Sequence, residues 1–266
     1  MSNIFSINDP IHISLFKKIC ETFKNLSDLI YIKITTENIN FQVIDNVKIS
    51  ILNIHFDKKY FDIFDVNNTD YFCININDFT KILKNFSKMN TIIFQLIKEQ
   101  NILSITSNIE NSIKKNFKIN LLDTSVYNWI NIDNLNSNNL KLSILSKTLY
   151  TIISELNVFS DYLTIKKYKN SNILEFIIND EQNNIYSKYQ INDINILNIK
   201  NIKEDNIEEH IEEDIELIVS LNYLNNFKLF SNFNYTCFSI SNNNPLHINL
   251  SDTYININYM LAPKVI

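Results

Sequence analysis

Lysine supplies all the basic charge of this chain: its 24 basic residues include no Arg and stand against 29 acidic ones, for a formal net charge of −5. In the segment 78–86, Lys81 and Lys84, followed by Lys88, fall at i, i+3 and i+7. That spacing sets three ammonium groups on the helix face opposite Ile82, Leu83 and Phe86. Lys17, Lys18 and Lys24 decorate the polar face of an earlier amphipathic segment. A basic helix face is either solvated surface or a surface for phosphate. Its occurrence on two helices of an acidic protein turns the reading toward phosphate. Lys without Arg favours contact with backbone phosphate over base readout.

Other chemistries find little support. The chain has no glycine, so the phosphate-cradling loop, the dinucleotide turn and the nucleophile elbow that depend on it are absent. The four His, His12, His55, His210 and His247, are isolated, and Cys20, Cys73 and Cys237 are too far apart for a zinc site or disulfide framework. The acidic run Glu204, Asp205, Glu208, Glu209, Glu212, Glu213 and Asp214 lacks the spacing of a calcium loop and reads as a solvated loop. Neither a metal nor a cofactor is expected. No apolar run is long enough for a membrane helix, and a soluble intracellular protein follows as the expectation. Asn, Ile and Lys dominate, and Ala262 is the only Ala, a bias in keeping with a genome rich in A and T.

The elements that must carry the lysines are short helices among many strands. Apolar residues at helical spacing mark 15–26 (Leu15, Phe16, Ile19, Phe23, Leu26), 78–86 (Phe79, Ile82, Leu83, Phe86, with Asn77 as N-cap), 146–156 (Leu149, Ile152, Ile153, Leu156) and 221–230 (Leu221, Leu224, Phe227, Phe230). β-branched and aromatic runs mark strands at 30–34, 39–43, 48–55, 92–96, 102–107, 163–167, 174–178 and 236–240. Helix and strands recur at an offset of about half the chain, the mark of two similar α+β domains. The expected division is a domain at 1–121, a connecting linker at 122–139, where Asp, Asn and Ser accumulate, and a domain at 140–266.

Several segments then carry a family likeness. LFKKICETFKNL at 15–26, INFQVIDNVKISIL at 39–52, NDFTKILK at 77–84, LNYLNNF at 221–227, the pair Pro245 and Leu246, and the ending LAPKV at 261–265 together resemble proliferating cell nuclear antigen, the eukaryotic-type DNA sliding clamp, in order and spacing over nearly the full length. The resemblance implies the DNA clamp fold, two similar clamp domains per chain with helices lining a ring of three chains. It implies no enzyme but a processivity factor in the nucleus or an equivalent replication compartment, encircling duplex DNA without regard to sequence. DNA polymerase, a clamp loader and other proteins carrying clamp-binding peptides would be its partners, and no membrane is involved.

Carried over residue by residue, the DNA-facing set becomes Lys17, Lys18, Lys24, Lys81, Lys84, Lys88, Lys147 and Lys228. The partner-peptide set becomes Ile44, Ile49 and Ile51, Trp129 and Ile130, Pro245, and Met260, Ala262 and Pro263. Edge strands at 112–119 and 184–190, with Phe117 and Tyr186, would close the trimer. The sequence departs from the family where the third helix offers Thr148, Thr151, Ser154 and Glu155 in place of basic residues. It departs again where Trp129 and Ile130 replace smaller aliphatic side chains in the linker. The rival readings are a subunit of a heterotrimeric checkpoint-type clamp and a non-enzymatic α+β scaffold without DNA function.

Overall fold

A computed structural model describes residues 3–87, 91–110, 113–124, 127–132, 140–169, 171–180, 184–192, 194–196, 213–226 and 231–264. The chain divides into two compact units, Met1–Ile130 with Ser251–Ile257, and Asn131–Leu250 with Asn258–Ile266.

The first unit runs β1 (Asn3–Ile7), α1 (Pro10–Phe23), β2 (Leu29–Ile34), β3 (Asn38–Ile44), β4 (Ser50–Asp57), β5 (Ile63–Asp65), β6 (Asp70–Asn75), α2 (Ile76–Lys84), β7 (Ile92–Ile97), β8 (Ile102–Glu110) and β9 (Ile113–Asn120). One sheet orders β5-β1-β7-β8-β9 and another β4-β3-β2-β6, with antiparallel pairing. In β2 and β4 every second residue is buried, the period-two pattern of a sheet with one face on the core. Phe16 of α1 sits at the centre of that core, with ring centroids 5.9 Å from Phe41, 5.6 Å from Phe56, 6.2 Å from Phe79 and 5.7 Å from Phe94.

The second unit repeats the plan with β10 (Leu140–Leu145), α3 (Ser146–Leu156), β11 (Tyr162–Lys167), β12 (Leu174–Asp180), β13 (Ile185–Ile191), β14 (Asn195–Ile196), β15 (Ile215–Ser220), α4 (Leu221–Asn226), β16 (Tyr235–Ile240) and β17 (Leu246–Ser251), and takes the part of β18 (Ile255–Leu261) from Asn258 onward. Its sheets order β13-β12-β11-β15 and β14-β10-β16-β17. Leu149, Ile153, Phe176, Val219 and Phe238 are buried at its centre. Lys167 is buried as well. Its ammonium donates to the carbonyls of Tyr168, at 3.0 Å, and Ser171, and burial pulls its pKa below the ordinary lysine value.

The helix starts differ from the sequence reading. Asn75, not Asn77, caps α2, its side-chain oxygen accepting from the Asp78 N–H at 3.1 Å. The reason is that β6 passes straight into the helix and its first residue, Ile76, is already needed in the core. Asn77 instead donates to Asp28 at 2.9 Å. α1 begins at Pro10, whose missing N–H suits a first helical turn. Asp9 caps it, accepting from Ile11 at 2.7 Å and His12 at 3.0 Å, and these bonds hold its carboxyl below the usual carboxylate range. α1 ends at Phe23, before Leu26, which is buried all the same. Phe227 and Phe230 lie outside the described residues, as do His210 and the acidic residues 204–212.

Turns that would ordinarily use glycine are built without it. Lys48, Asn101, Asn184 and Asn243 take positive φ of 63°, 55°, 52° and 62°; Asn tolerates the left-handed region better than other side chains. Among the described residues no helix is long and apolar enough to cross a membrane.

Phe16→Ala removes the ring on which four others converge, and a loss of about 3–5 kcal/mol is expected. The single Trp, Trp129, belongs to the first unit, so its fluorescence during denaturant unfolding reads this loss. An unshifted midpoint would mean that the Phe16 cluster does not hold that unit together.

Candidate functional site

α1 and α2 bring the first group of predicted lysines together. Lys84 of α2 reaches Glu21 of α1 at 3.0 Å, and Lys81 lies 3.8 Å from Asp78 on its own helix. Both pairs are largely exposed, so they add little to stability and can be exchanged for another anion at small cost. Lys17 donates to the carbonyl of Phe86, just past the end of α2, while Lys18 is exposed and Lys24 half-buried. Sequence reasoning missed Lys115 on β9, which donates to the Asn85 carbonyl at 3.0 Å; its signal was the run Lys114, Lys115 and Lys118 along a strand, where a helix-based search did not look. Ammonium groups thus gather at the C-terminal end of α2, the negative end of the helix dipole. Lys88 and Lys228 lie outside the described residues.

In the second unit, Lys147 is exposed on the first turn of α3. The rest of that polar face is hydroxyl and acid: Thr151 bonds back to the Lys147 carbonyl at 3.1 Å, and Glu155 accepts from the Tyr189 hydroxyl of β13. Among the described residues the basic surface is therefore that of the first unit.

The other candidate surface is the outer face of the sheet β4-β3-β2-β6. Residues directly opposite across an antiparallel pair share a face, so the pairs Ile44–Ile51, Gln42–Asn53, Tyr31–Gln42 and Lys33–Tyr71 place these side chains on one surface. The segment after β9 lies on it. Leu122 forms a bridge to Cys73 on the edge strand β6, its N–H donating to the Cys73 carbonyl at 2.8 Å. Tyr127 stacks on Tyr31 with centroids 3.4 Å apart and planes 7° apart, and its hydroxyl donates to the Gln42 side chain. That fully buried amide then closes a two-way clamp on Ile130, its Nε2 donating to the Ile130 carbonyl at 2.8 Å and its Oε1 accepting from the Ile130 N–H at 3.0 Å. Burial, with Tyr31 alongside, raises the Tyr127 pKa, and the Cys73 thiol is pushed up to about 11 by burial. Both stay neutral and chemically quiet at ordinary pH.

The predicted peptide residues of the first unit therefore share a region. Ile44 and Ile51 are half-buried and paired, Ile49 is 37% and Ile130 40% exposed, and Trp129 is set edge-on to Tyr127 at 6.4 Å. In the second unit Pro245, Ala262 and Pro263 are half-buried, whereas Met260 is buried in β18. The tail is strapped there by Lys264, whose N–H donates to the Ile218 carbonyl at 2.8 Å and whose ammonium stands 3.9 Å from the centre of the Tyr162 ring. Phe117 is half-buried on β9 against Phe86, and Tyr186 is exposed on β13; each strand ends its sheet. Among the described residues no cluster of three His, Cys, Asp or Glu side chains could hold a metal ion.

Comparison with known proteins agrees with this geometry. Residues 11–128 match the family described as proliferating cell nuclear antigen, N-terminal domain. Over 108 residues the chain is 28% identical to the DNA polymerase sliding clamp of Thermococcus gammatolerans, which is 41% of this chain and 42% of that protein. The DNA polymerase sliding clamp 1 of Thermococcus kodakarensis gives the same figures, 28%, 41% and 42%, so the chain matches about two fifths of the length of these curated relatives. The crystal structure of proliferating cellular nuclear antigen from Entamoeba histolytica superposes with a TM-score of 0.80 at 20% identity over 99% of both chains. The PCNA2–PCNA3 complex of Sulfolobus tokodaii gives a TM-score of 0.77 at 18% identity, over 98% of this chain and 99% of that one. The fold is that of the DNA clamps, two similar domains each built of sheet backed by helix. Within that class the similarity to the proliferating cell nuclear antigen family, N-terminal domain, covers residues 11–128.

Gln42→Ala should free the clamped segment without unfolding the sheet. Removing the amide leaves the Ile130 N–H without its acceptor and its carbonyl with only the longer 3.5 Å bond from Asn53, at a cost of about 1–3 kcal/mol, roughly a tenfold to hundredfold faster amide exchange. Hydrogen exchange across 127–132 measures it, and exchange equal to wild type would show that the segment is held by something else.

Proposed function

We propose that this protein is a DNA sliding clamp, a non-enzymatic processivity factor that closes as a homotrimeric ring around duplex DNA. It tethers DNA polymerase, is opened and closed by a clamp loader, and serves other replication and repair proteins in the nucleus or an equivalent replication compartment. In this reading residues 122–139 connect clamp domains 1–121 and 140–266. The observation that carries it is the lysine-bearing pair α1 and α2, in a protein of net charge −5 with the clamp fold. An acidic protein with one basic surface attracts phosphate where the surface is and repels it elsewhere. Lys17, Lys18, Lys24, Lys81 and Lys84, joined by Lys88, form the main contact, with Lys147 and Lys228 the lesser one.

Weak contact suits the task. Exposed ammonium groups neutralise phosphates by releasing counterions, with no fixed register, so a ring can hold DNA by topology and still slide. Ring closure uses the unpaired edges of β9 and β13, near Phe117 and Tyr186; an open edge left unpaired is an aggregation hazard, and pairing between copies removes it. Client proteins dock by a short peptide with an apolar and aromatic plug. Ile44, Ile49, Ile51, Trp129 and Ile130 take it in the first unit, and Pro245, Ala262 and Pro263 offer apolar surface to the same class of ligand in the second.

Changing Lys81 and Lys84 together to Glu should shorten retention on closed circular DNA and flatten its salt dependence by close to one unit per lost phosphate contact. Retention equal to wild type would remove these helices from the DNA surface. Mass in solution should be three times 31.4 kDa; a monomer at working concentration would overturn the homotrimer.

A further inference from the structure

On the far side of Gln42 from Ile44 and Ile51, the same sheet face holds a cavity of about 260 Å³ lined by Tyr31, Tyr71, Thr124, Tyr127 and Trp129. Its volume falls below the roughly 300 Å³ at which small-molecule sites begin and suits a single side chain. Four of the lining residues named are aromatic, and aromatic rings receive another ring edge-on or offset. The rim is charged on one side. Lys33 stands 5.4 Å from the centre of the Tyr71 ring and has no acidic partner among the described residues. The nearby carboxylate on β6, Asp70, is buried and already holds Lys98 and the Asn3 amide, the latter at 2.7 Å. Exposed Asp123 carries the opposite charge at the Thr124 end. A ligand carboxylate therefore belongs at the Lys33 end, and a cationic group there would meet repulsion.

We infer that this cavity is a second docking slot for client peptides, taking an aromatic side chain with a carboxylate beside it. The inference rests on the plug site proposed above and extends it. The distance fixes the spacing. Through the pairs Lys33–Tyr71, Lys33–Asn40 and Asn40–His55, Tyr71 on β6 lies three interstrand steps of about 4.8 Å across from His55. His55 is itself four residues along β4 from Ile51, so the diagonal from Ile51 is about 20 Å, which roughly six extended residues cover. The preferred peptide carries its plug, then a second aromatic about six residues away, then Asp or Glu. Because the slot is side-chain-sized and half formed by the segment that Gln42 pins, it selects among clients that share the same plug.

Two measurements test this with the full-length protein. In the first, fluorescent peptides bearing the plug alone, the plug with Phe-Asp about six residues on, the same with Phe-Lys, and the same with Ala-Asp are titrated against wild type, Tyr71→Ala and Lys33→Glu. The Phe-Asp peptide should bind wild type about tenfold tighter than the plug alone. Tyr71→Ala should erase that gain while leaving the plug peptide unchanged, and Lys33→Glu should reverse the order of Phe-Asp and Phe-Lys. Equal affinity of the Phe-Asp and Ala-Asp peptides, or tighter binding of Phe-Lys to wild type, overturns the slot.

The second measurement keeps the slot separate from the plug. A short Phe-Asp peptide with no plug is added at millimolar concentration while the emission of Trp129 is followed. A saturable change in wild type that is lost in Tyr71→Ala supports the slot even where no plug peptide binds, an outcome that would count against the plug site alone. No saturable change in wild type overturns the slot.

Discussion

One buried amide organises the outer face of the first unit. A Gln side chain carries both a donor and an acceptor, and Gln42, with no exposed surface, meets both the N–H and the C=O of Ile130 while also accepting from Tyr127. A segment without secondary structure has no ladder to satisfy its backbone, so it would ordinarily stay in water. Gln42 provides the missing partners from a rigid strand. The stacking of Tyr127 on Tyr31 then follows, since the bond to Gln42 fixes where the phenol lies. Everything placed on that face, the Ile44 and Ile51 pair on one side and the aromatic cavity on the other, takes its shape from where the segment is held.

The electrostatic arrangement has a comparable economy. Under the proposed function, a net negative protein needs its basic groups concentrated and its attachments to DNA weak. Glu21 and Asp78 sit among the lysines of α1 and α2 at 3.0 and 3.8 Å, in exposed pairs that bring close to nothing to stability. They moderate the field without cancelling it. The second unit goes further in that direction, with Thr151 and Glu155 where further cations would be placed, so the two units differ in charge far more than in fold.

The fold was legible in the sequence wherever one face of an element is buried. Leu149, Ile152, Ile153 and Leu156 repeat at helical spacing because α3 has a core on one side only, and β2 and β4 alternate for the same reason. Legibility failed where a residue's role depends on what crosses it from afar. Gln42 sits in the strand sequence Asn-Phe-Gln-Val and looks like an outward polar residue; its partners are 85 and 88 positions away. Lys167 reads as a surface lysine at a strand end, yet it is buried and held by two carbonyls. Asn75 and Asn77 are equally good caps by type, and only the burial of Ile76 decides between them. The lysines of α1 and α2 are grouped by helix spacing and so stand out in the sequence, whereas Lys115 lies on a strand, which spreads its charges over two faces.

The absence of glycine shapes the outer face as well. At Asn101 the chain needs a left-handed residue, φ 55°, to leave its short 3₁₀ turn and enter β8. Glycine would adopt that conformation more freely, but it would bring no side chain. Asn101 accepts from the Leu121 N–H at 2.9 Å through its backbone and donates to the Leu121 carbonyl at 3.1 Å through its side chain. The next residue, Leu122, is bound at Cys73, and Ile130 at Gln42. The segment is thus pinned in sequence along its course, first by a residue whose type the composition bias favours. A turn that tolerates strain has become the first anchor of the surface proposed for docking.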